Sequence, residues 1–302
     1  MKSTHPEFGL VLVGGGAKGA YQAGAVKFIA ELGLEPNIIA GTSIGALNGA
    51  VLSSYCSFSD AAERLNQLWD DLAKANILRW NKDPHPIFDP ESIKQMLHKA
   101  VNAVELRRGI ELWVTVFPSL NIPVLSSSLL INAARVASGV NAEWLRVRDF
   151  PDDETVYNVL LASAAIPLAF PCQKVNGRSY VDGGLKDNIP VGALAQRGSK
   201  NVIVIHLGYG TAWSRHDFPE QTIIEIRPEK PTNKSDTPFI GSVSSLLDFS
   251  AERITELKKR GYEDAKNCLT PIIQTFKGIR DLRHSHDRLI DSTNDLINDL
   301  PL

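Results

Sequence analysis

Twice within its first fifty residues the chain shows an apolar strand, a glycine-rich turn and a helix, and this alternation constrains the fold most. Residues 9–13 are apolar and run into GGGAKG at 14–19, after which a helical pattern begins. A second short apolar run at 37–40 leads into GTSIG at 41–45 and another helical pattern. Strands that alternate with helices predict a parallel sheet with helices on both faces.

The rest of the chain continues this mixture of strands and helices. Helices are predicted over about 60–75, 156–166 and 190–197, and strands near 110–117, 123–130, 179–182, 201–207 and 221–226. No internal repeat, low-complexity segment or linker is visible. We therefore expect one domain over 1–302, with a core at about 9–210 and a helical C-terminal region at about 241–302.

Composition excludes several classes of protein. The net charge of the 302 residues is −2 without a basic block, so nucleic acid is not an expected partner. The three cysteines form no zinc-type spacing and suit a reducing compartment, so we expect no metal. No apolar run approaches the roughly 20 residues of a transmembrane helix, and the first one is too short for a signal peptide. These features predict a cytoplasmic protein that meets lipid only peripherally, at the inner membrane face, and they leave the oligomeric state open.

The glycine loop is compatible with two kinds of anion site. The spacing of Gly14, Gly16 and Gly19 fits a dinucleotide-binding turn, in which a pyrophosphate lies at a helix N-terminus. The same backbone N–H groups could form an oxyanion hole for acyl transfer. A dinucleotide site needs an acidic residue after the second strand, and residues 39–43 contain none. Nucleotide binding therefore stays open as the weaker alternative.

The stretch GTSIG matches Gly-x-Ser-x-Gly, the nucleophile elbow. A strand must turn abruptly into a helix there, and the small residues Gly41 and Gly45 allow that turn. The elbow presents Ser43 as a nucleophile, and the neighbouring strand would bring the glycine loop beside it. The alternative is that Ser43 only caps the helix that follows.

Two residues are candidates for the base that accepts the serine proton. Asp182 ends a predicted strand and is followed by Gly183 and Gly184, a turn that can approach another loop closely. His206 also ends a strand and would complete a serine, acid and histidine order. A histidine at a strand end is more often a packed residue, so Asp182 is the favoured base.

GGGAKG, GTSIG and the Asp-Gly-Gly turn at 182–184, in this order, resemble the motifs of the patatin-like phospholipase family. The segments 163–167 and 187–190 are also similar to that family's sequence around its aspartate. The resemblance covers about 9–210 and implies a three-layer α/β/α sandwich with a mainly parallel sheet. It also implies a dyad without histidine, and no cofactor.

By this resemblance each motif residue receives a role. Ser43 would be the nucleophile and Asp182 its base, while Lys18 would occupy a basic position that could contact a substrate phosphate. The backbone amides of the loop would form the oxyanion hole, and the remaining glycines would shape the motifs. The oxyanion residues are Gly14, Gly15 and Gly16, and the motif glycines are Gly19, Gly41, Gly45, Gly183 and Gly184.

The activity implied is hydrolysis of acyl esters of glycerolipids, of the phospholipase A or lysophospholipase type, through an acyl-enzyme. The expected partner is a phospholipid or another acyl ester, with peripheral membrane contact. A soluble carboxylesterase or thioesterase using the same residues is an alternative. An aspartate with an ordinary pKa of about 3.9 is a poor base at neutral pH, so we expect burial to raise the pKa of Asp182, or the oxyanion hole to supply much of the rate.

Two further expectations concern the surroundings of the site. Lys18 lies in the first turn of a helix, where its charge opposes the helix dipole, so we expect either an anion beside it or full exposure to water. The loops 77–90 and 208–219 combine aromatic and basic residues, as an interfacial lid would. The aromatic residues that motivate this hypothesis are Trp80, Phe88, Trp213 and Phe218.

Overall fold

A mixed β-sheet occupies the centre of the computed structural model, which describes residues 7–74, 90–119, 139–166, 171–208, 213–232, 246 and 248–298. Among these residues eight strands form the sheet in the order β5-β6-β3-β2-β1-β7-β8, with β4 also paired to β3. The strands are β1 (Gly9–Leu12), β2 (Ile38–Thr42), β3 (Glu111–Pro118), β4 (Glu143–Arg146), β5 (Gln173–Val175), β6 (Arg178–Asp182), β7 (Asn201–Ile205) and β8 (Thr222–Ile226).

The sheet is mainly parallel. The run from β3 through β2, β1 and β7 to β8 is parallel, whereas β4 and β6 pair antiparallel to β3, and β5 antiparallel to β6. The central strands β1 and β2 are buried at every position, as strands covered by helices on both faces must be. The predicted parallel sheet is therefore confirmed.

Helices cover both faces of the sheet. The helices of the described residues are α1 (Gly19–Glu31), α2 (Ile44–Leu52), α3 (Phe58–Lys74), α4 (Pro90–Ala100), α5 (Ala103–Arg108), α6 (Asp153–Ser163), α7 (Val191–Ala195) and α8 (Ala251–Asn298). A large apolar core joins α1, α2, α3, α5, α6 and α8 to one face of the sheet. A smaller cluster joins α7 to the other face. The predicted three-layer α/β/α sandwich is confirmed, with one thick and one thin outer layer.

Most predicted elements appear within a few residues of their expected ends. The helix expected over 156–166 begins and ends three residues earlier, and the strand expected over 201–207 stops at Ile205. No pattern in the sequence predicted β4 or β5, which are short and only partly buried. The strand predicted near 123–130 lies outside the described residues.

Within the expected C-terminal region, the 48 residues Ala251–Asn298 form α8. The first part of α8 packs along α1 and α3. The hydroxyl of Tyr21 donates to Asp264 at 2.9 Å, and the ammonium of Lys258 contacts Asp70 at 2.7 Å. No helix within the described ranges is both long and apolar enough to cross a membrane.

Candidate active site

The GTSIG stretch forms a sharp elbow between β2 and α2. Ser43 has φ 55° and ψ −125°, a strained combination for a residue other than glycine. A Cβ at Gly41 would lie 2.6 Å from the carbonyl oxygen of Gly45, and one at Gly45 would overlap the carbonyl oxygen of Leu12. Both positions therefore require glycine. The Ser43 side chain makes no capping hydrogen bond to α2, so the capping alternative is wrong.

Asp182 lies beside Ser43, at the end of β6. Its carboxylate accepts a hydrogen bond from the backbone amide of Gly184 at 2.8 Å, and the nearby Ser43 hydroxyl acts to lower its pKa. The side chain is almost fully buried. Burial raises the pKa of Asp182 to about 6, against the opposing effect of the Ser43 hydroxyl and the Gly184 amide. The carboxylate is thus a stronger base than an exposed aspartate, as expected from its burial.

The turn after Asp182 approaches the end of β3 very closely. A Cβ at Gly183 would overlap the carbonyl oxygen of Thr115. Because glycine lacks that atom, the chain can turn there while Asp182 stays paired with Val116 in the sheet. The Asp-Gly-Gly motif thus holds the carboxylate against β3.

The glycine loop follows β1 and lies against the elbow. A Cβ at Gly14 would lie 3.1 Å from the Cβ of Ser43. Among the described residues, the amides of Gly14, Gly15 and Gly16 have no hydrogen-bond acceptor. Backbone N–H groups beside a serine are suitable donors to an oxyanion.

Buried side chains hold the start of α1 behind this loop. The side-chain amide of Gln22 donates a hydrogen bond to the carbonyl oxygen of Val13 at 2.7 Å. The amide of Asn48 donates to Gln22 at 2.8 Å and to the carbonyl oxygen of Gly19 at 3.1 Å. The indole of Trp69 donates to Asn48 at 3.1 Å. The loop is thereby fixed to α1, α2 and α3.

The segment 187–190 connects the three motifs. The side-chain amide of Asn188 donates to the carbonyl oxygen of Gly14 at 3.2 Å, and the hydroxyl of Thr42 donates to the carbonyl oxygen of Asp187 at 3.1 Å. The indole of Trp144 donates to the Asp187 carboxylate at 2.8 Å. In the sequence this segment resembles the family, but nothing there indicates a role for its residues.

Ser163, at the end of α6, is a second contributor that received no role. Its hydroxyl oxygen accepts a hydrogen bond from the backbone amide of Ser43 at 2.8 Å, and the same hydroxyl donates one to the carbonyl oxygen of Thr115 at 2.7 Å. Two residues further on, the carbonyl oxygen of Ala165 accepts from the amide of Asp182 at 3.0 Å. A serine before a helix end gives no local signal of such contacts.

Lys18 is buried rather than solvated. Only 8% of the residue is exposed, so the expectation of a fully exposed lysine is wrong. Burial lowers the pKa of Lys18, and the positive charge of Arg253 on α8 lowers it further. The sequence could not indicate this because α8 follows more than 200 residues later. A contact between Lys18 and a substrate phosphate stays a prediction.

His206 belongs to a different cluster. It is fully buried, and its Nε2 lies 2.9 Å from the Glu225 carboxylate. Burial lowers the pKa of His206 to about 4, as does the charge of Arg227, while Glu225 acts in the opposite direction. Within the described residues no hydrogen bond joins His206 to Ser43 or Asp182. This is the environment of a packed histidine, as the sequence analysis favoured.

Of the four aromatic residues that motivated a lid, the structure describes two. Trp213 and Phe218 are partly buried against the apolar cluster on the thin side of the sheet, and the indole of Trp213 donates to Glu225 at 2.9 Å. They pack on the domain in this conformation. Trp80 and Phe88 lie outside the described residues. Among those described, no group of three or more His, Cys, Asp or Glu is arranged to hold a metal ion.

The sequence model of the family described as patatin-like phospholipase matches residues 10–195, more than half of the chain. The chain belongs to the patatin-like phospholipase family. The resemblance inferred from three motifs is therefore confirmed. All three motifs lie inside the match, which gives no support to the nucleotide-binding alternative.

Similar proteins include patatin-like phospholipase domain-containing protein 7 of Rattus norvegicus, 30% identical over 200 residues that cover 66% of this chain and 13% of the rat protein. Lysophospholipase NTE1 of Candida albicans is 26% identical over 207 residues, which cover 66% of this chain and 13% of that protein. The chain thus matches a small part of much longer patatin-like proteins. Among solved structures, VipD from Legionella pneumophila has a TM-score of 0.46 and 16% identity, covering 88% of this chain and 67% of that chain.

Proposed function

We propose that this patatin-like chain is a serine hydrolase that cleaves acyl esters of glycerolipids, of the phospholipase A or lysophospholipase type. The observation that carries the proposal is the position of Ser43, on a strained elbow, beside the buried carboxylate of Asp182, whose pKa is raised to about 6. Membership in a family described as phospholipases supports a lipid ester as substrate. The name of the Candida relative, a lysophospholipase, agrees with it.

In the first half of the reaction Asp182 takes the proton of Ser43 as the serine oxygen attacks the acyl carbonyl carbon. The carbonyl oxygen becomes negatively charged, and the amides of Gly14, Gly15 and Gly16 stabilise it. When the tetrahedral intermediate collapses, the ester C–O bond breaks and the alcohol leaves with the proton held by Asp182. The acyl group remains esterified to Ser43.

In the second half a water molecule repeats the attack on the acyl-enzyme. Asp182 accepts the water proton and returns it to the oxygen of Ser43 as the fatty acid leaves. A base with a pKa of about 6 is mostly ionised at pH 7 and still matches the reaction better than an ordinary aspartate. No metal or organic cofactor takes part in this scheme.

We place this activity in the cytoplasm, with peripheral contact between the protein and the inner membrane face. The absence of a membrane-spanning helix among the described residues is compatible with this placement without requiring it. The match covers only 13% of the rat and Candida proteins. Location and substrate are therefore proposed for this chain on their own grounds and do not follow from family membership.

The test is release of fatty acid from phospholipid and lysophospholipid in detergent-free liposomes, with a short-chain nitrophenyl ester and an acyl thioester alongside. Ser43→Ala should abolish the hydrolysis of every one of these substrates. Ser53→Ala is the matched control, since Ser53 is a buried serine whose hydroxyl has no hydrogen-bond partner within the part of the chain that the structure describes. Retained activity in Ser43→Ala would refute the proposal. Hydrolysis of the short ester or thioester alone would instead favour a soluble carboxylesterase or thioesterase.

A further inference from the structure

The residues 163–165, at the end of α6, lie where the elbow and β3 meet. Ser163 is fully buried, and its hydroxyl makes two hydrogen bonds. A serine hydroxyl can donate one hydrogen bond, and that of Ser163 is donated to the carbonyl oxygen of Thr115 at 2.7 Å. A lone pair of the same oxygen therefore points to the amide of Ser43, 2.8 Å away.

The same segment also holds the other member of the candidate dyad. The carbonyl oxygen of Ala165 accepts from the amide of Asp182 at 3.0 Å. In the sheet, Thr42 pairs with Thr115 and Asp182 pairs with Val116, so the two chain segments flank consecutive residues of β3. Three residues thus bind the backbone N–H groups of both Ser43 and Asp182.

The contact to Ser43 occurs at a strained position of the backbone. A non-glycine residue with φ 55° and ψ −125° persists only where its surroundings hold it. Without the Ser163 oxygen, the amide of Ser43 would be a buried donor without an acceptor, which favours relaxation of the elbow. The bond also occupies this amide, and the amides of the glycine loop are left as oxyanion donors.

We infer that Ser163 is a positioning residue, which fixes the backbone of Ser43 so that its hydroxyl meets Asp182, and that 163–165 acts as one clamp on both residues. The catalytic part of this inference rests on the proposed hydrolase function. The geometric part rests only on the hydrogen bonds and can be measured without a substrate.

The experiment compares Ser163→Ala with Ser54→Ala in two measurements. Ser54 is the matched control because its buried hydroxyl donates to the carbonyl oxygen of Ala50 at 2.5 Å and does not contact the elbow. The first measurement is amide hydrogen exchange of peptides covering 38–52. The second is the kinetics of ester hydrolysis. In Ser163→Ala we expect exchange at the elbow to become at least about tenfold faster, and kcat to fall about 10- to 100-fold while KM changes less than about threefold.

Ser163→Thr separates positioning from packing. Threonine keeps the hydroxyl but adds a methyl group at a fully buried site, so a purely structural role predicts that it is worse than alanine. A positioning role predicts the reverse, with at least about tenfold higher kcat in Ser163→Thr than in Ser163→Ala. If Ser163→Ala does not fold, Ser163→Cys is used in its place. Cysteine has a side chain of similar shape, but its sulfur is only a weak hydrogen-bond acceptor.

The outcomes distinguish the two proposals. If the wild-type protein hydrolyses none of the esters, the proposed function is refuted. Amide hydrogen exchange at the elbow then tests the clamp without any measurement of activity. Unchanged exchange in Ser163→Ala, or a kcat equal to that of Ser54→Ala in an active enzyme, overturns the clamp. Faster exchange together with a selective loss of kcat supports it.

Discussion

Two carboxylates in this chain each pair with a side chain that can carry a proton, and their surroundings differ. Asp182 lies beside the Ser43 hydroxyl and accepts a hydrogen bond from the Gly184 amide, and burial is the largest influence on its pKa, which is raised to about 6. Burial also acts to raise the pKa of Glu225, but hydrogen bonds from Trp213 and Arg227 outweigh it, so the pKa is lowered. A buried carboxylate with neutral partners becomes a base, whereas one beside a guanidinium stays an ion.

The difference shows why the neighbouring histidine is a poor candidate for catalysis. His206 has the carboxylate partner that a catalytic histidine needs, but its Nδ1 has no hydrogen-bond partner among the described residues, and Arg227 further disfavours its charged form. The Ser43–Asp182 pair has the opposite character. Because its carboxylate has only neutral hydrogen-bond donors, accepting a proton relieves the cost of its burial.

Replacing each carboxylate by its amide should give the largest difference in activity between the Ser43–Asp182 pair and the His206–Glu225 pair. Asp182→Asn removes the base and should lower kcat by about 10⁴-fold or more. Glu225→Gln, the matched control, should retain activity within about fivefold and lose about 1–3 kcal/mol of stability, since Arg227 loses an ionic partner and the hydrogen bond to His206 is weakened. Fatty acid release and thermal unfolding measure the two effects. Equal loss of activity in both variants would break the distinction.

Gly14→Ala should produce the next largest effect. The added methyl group would overlap the side-chain oxygen of Asn188 and lie 3.1 Å from the Cβ of Ser43, so the loop must move away from the elbow. We expect kcat to fall about 10²- to 10³-fold with little change in stability. Gly278→Ala, on α8 with open space around it, is the control and should behave as wild type. Normal turnover in Gly14→Ala would exclude the glycine loop as the oxyanion hole.

Asp182→Asn should also stabilise the fold, in a pH-dependent manner. The pKa of Asp182 is raised from 3.8 to about 6 in the folded chain, so ionisation favours the unfolded chain. Below pH 3.8 both states are protonated and the penalty is absent. It grows as the pH rises to about 6 and stays constant above, at about 3 kcal/mol. Denaturant titration should therefore find the gain at pH 7.5 and none near pH 3.5. A gain independent of pH would show that burial of the charge is not its cause.

The smallest effect expected is that of His206→Ala on the pH profile. With Asp182 as the base, kcat/KM of wild type should rise tenfold per pH unit below about 6 and then level off. His206→Ala should keep this profile and most of the activity, although removal of a fully buried ring costs about 2–4 kcal/mol of stability. Loss of the acidic limb in this variant would identify the histidine as the base.

Local patterns carried most of what the sequence could predict. The apolar runs gave the central strands, and the steric demands of Gly41 and Gly45 gave the elbow, because those features depend on neighbouring residues. β4 was missed because its four residues are only partly buried, without the alternation of a half-exposed strand. Family membership followed from three such local motifs in order.

The contacts that hold the site were not predictable because they join distant parts of the chain. Ser163 and Asn188 resemble ordinary helix-end and turn residues in the sequence, and their partners are fixed only when β3 and β6 pair. The burial of Lys18 likewise depends on α8. The roles proposed for Ser43 and Asp182 follow from motif and geometry together, and the substitutions above test them.

The hydrogen bond between Ser43 and Ser163 spans 120 residues of sequence, and the one between Asn188 and Gly14 spans 174. Contacts of such separation form late in folding, since long loops must close before they contribute. A nascent chain that has emerged only as far as α5 therefore carries Ser43 without Ser163 or Asp182. The order of synthesis leaves the elbow without these two partners until most of the strands of the sheet have been made.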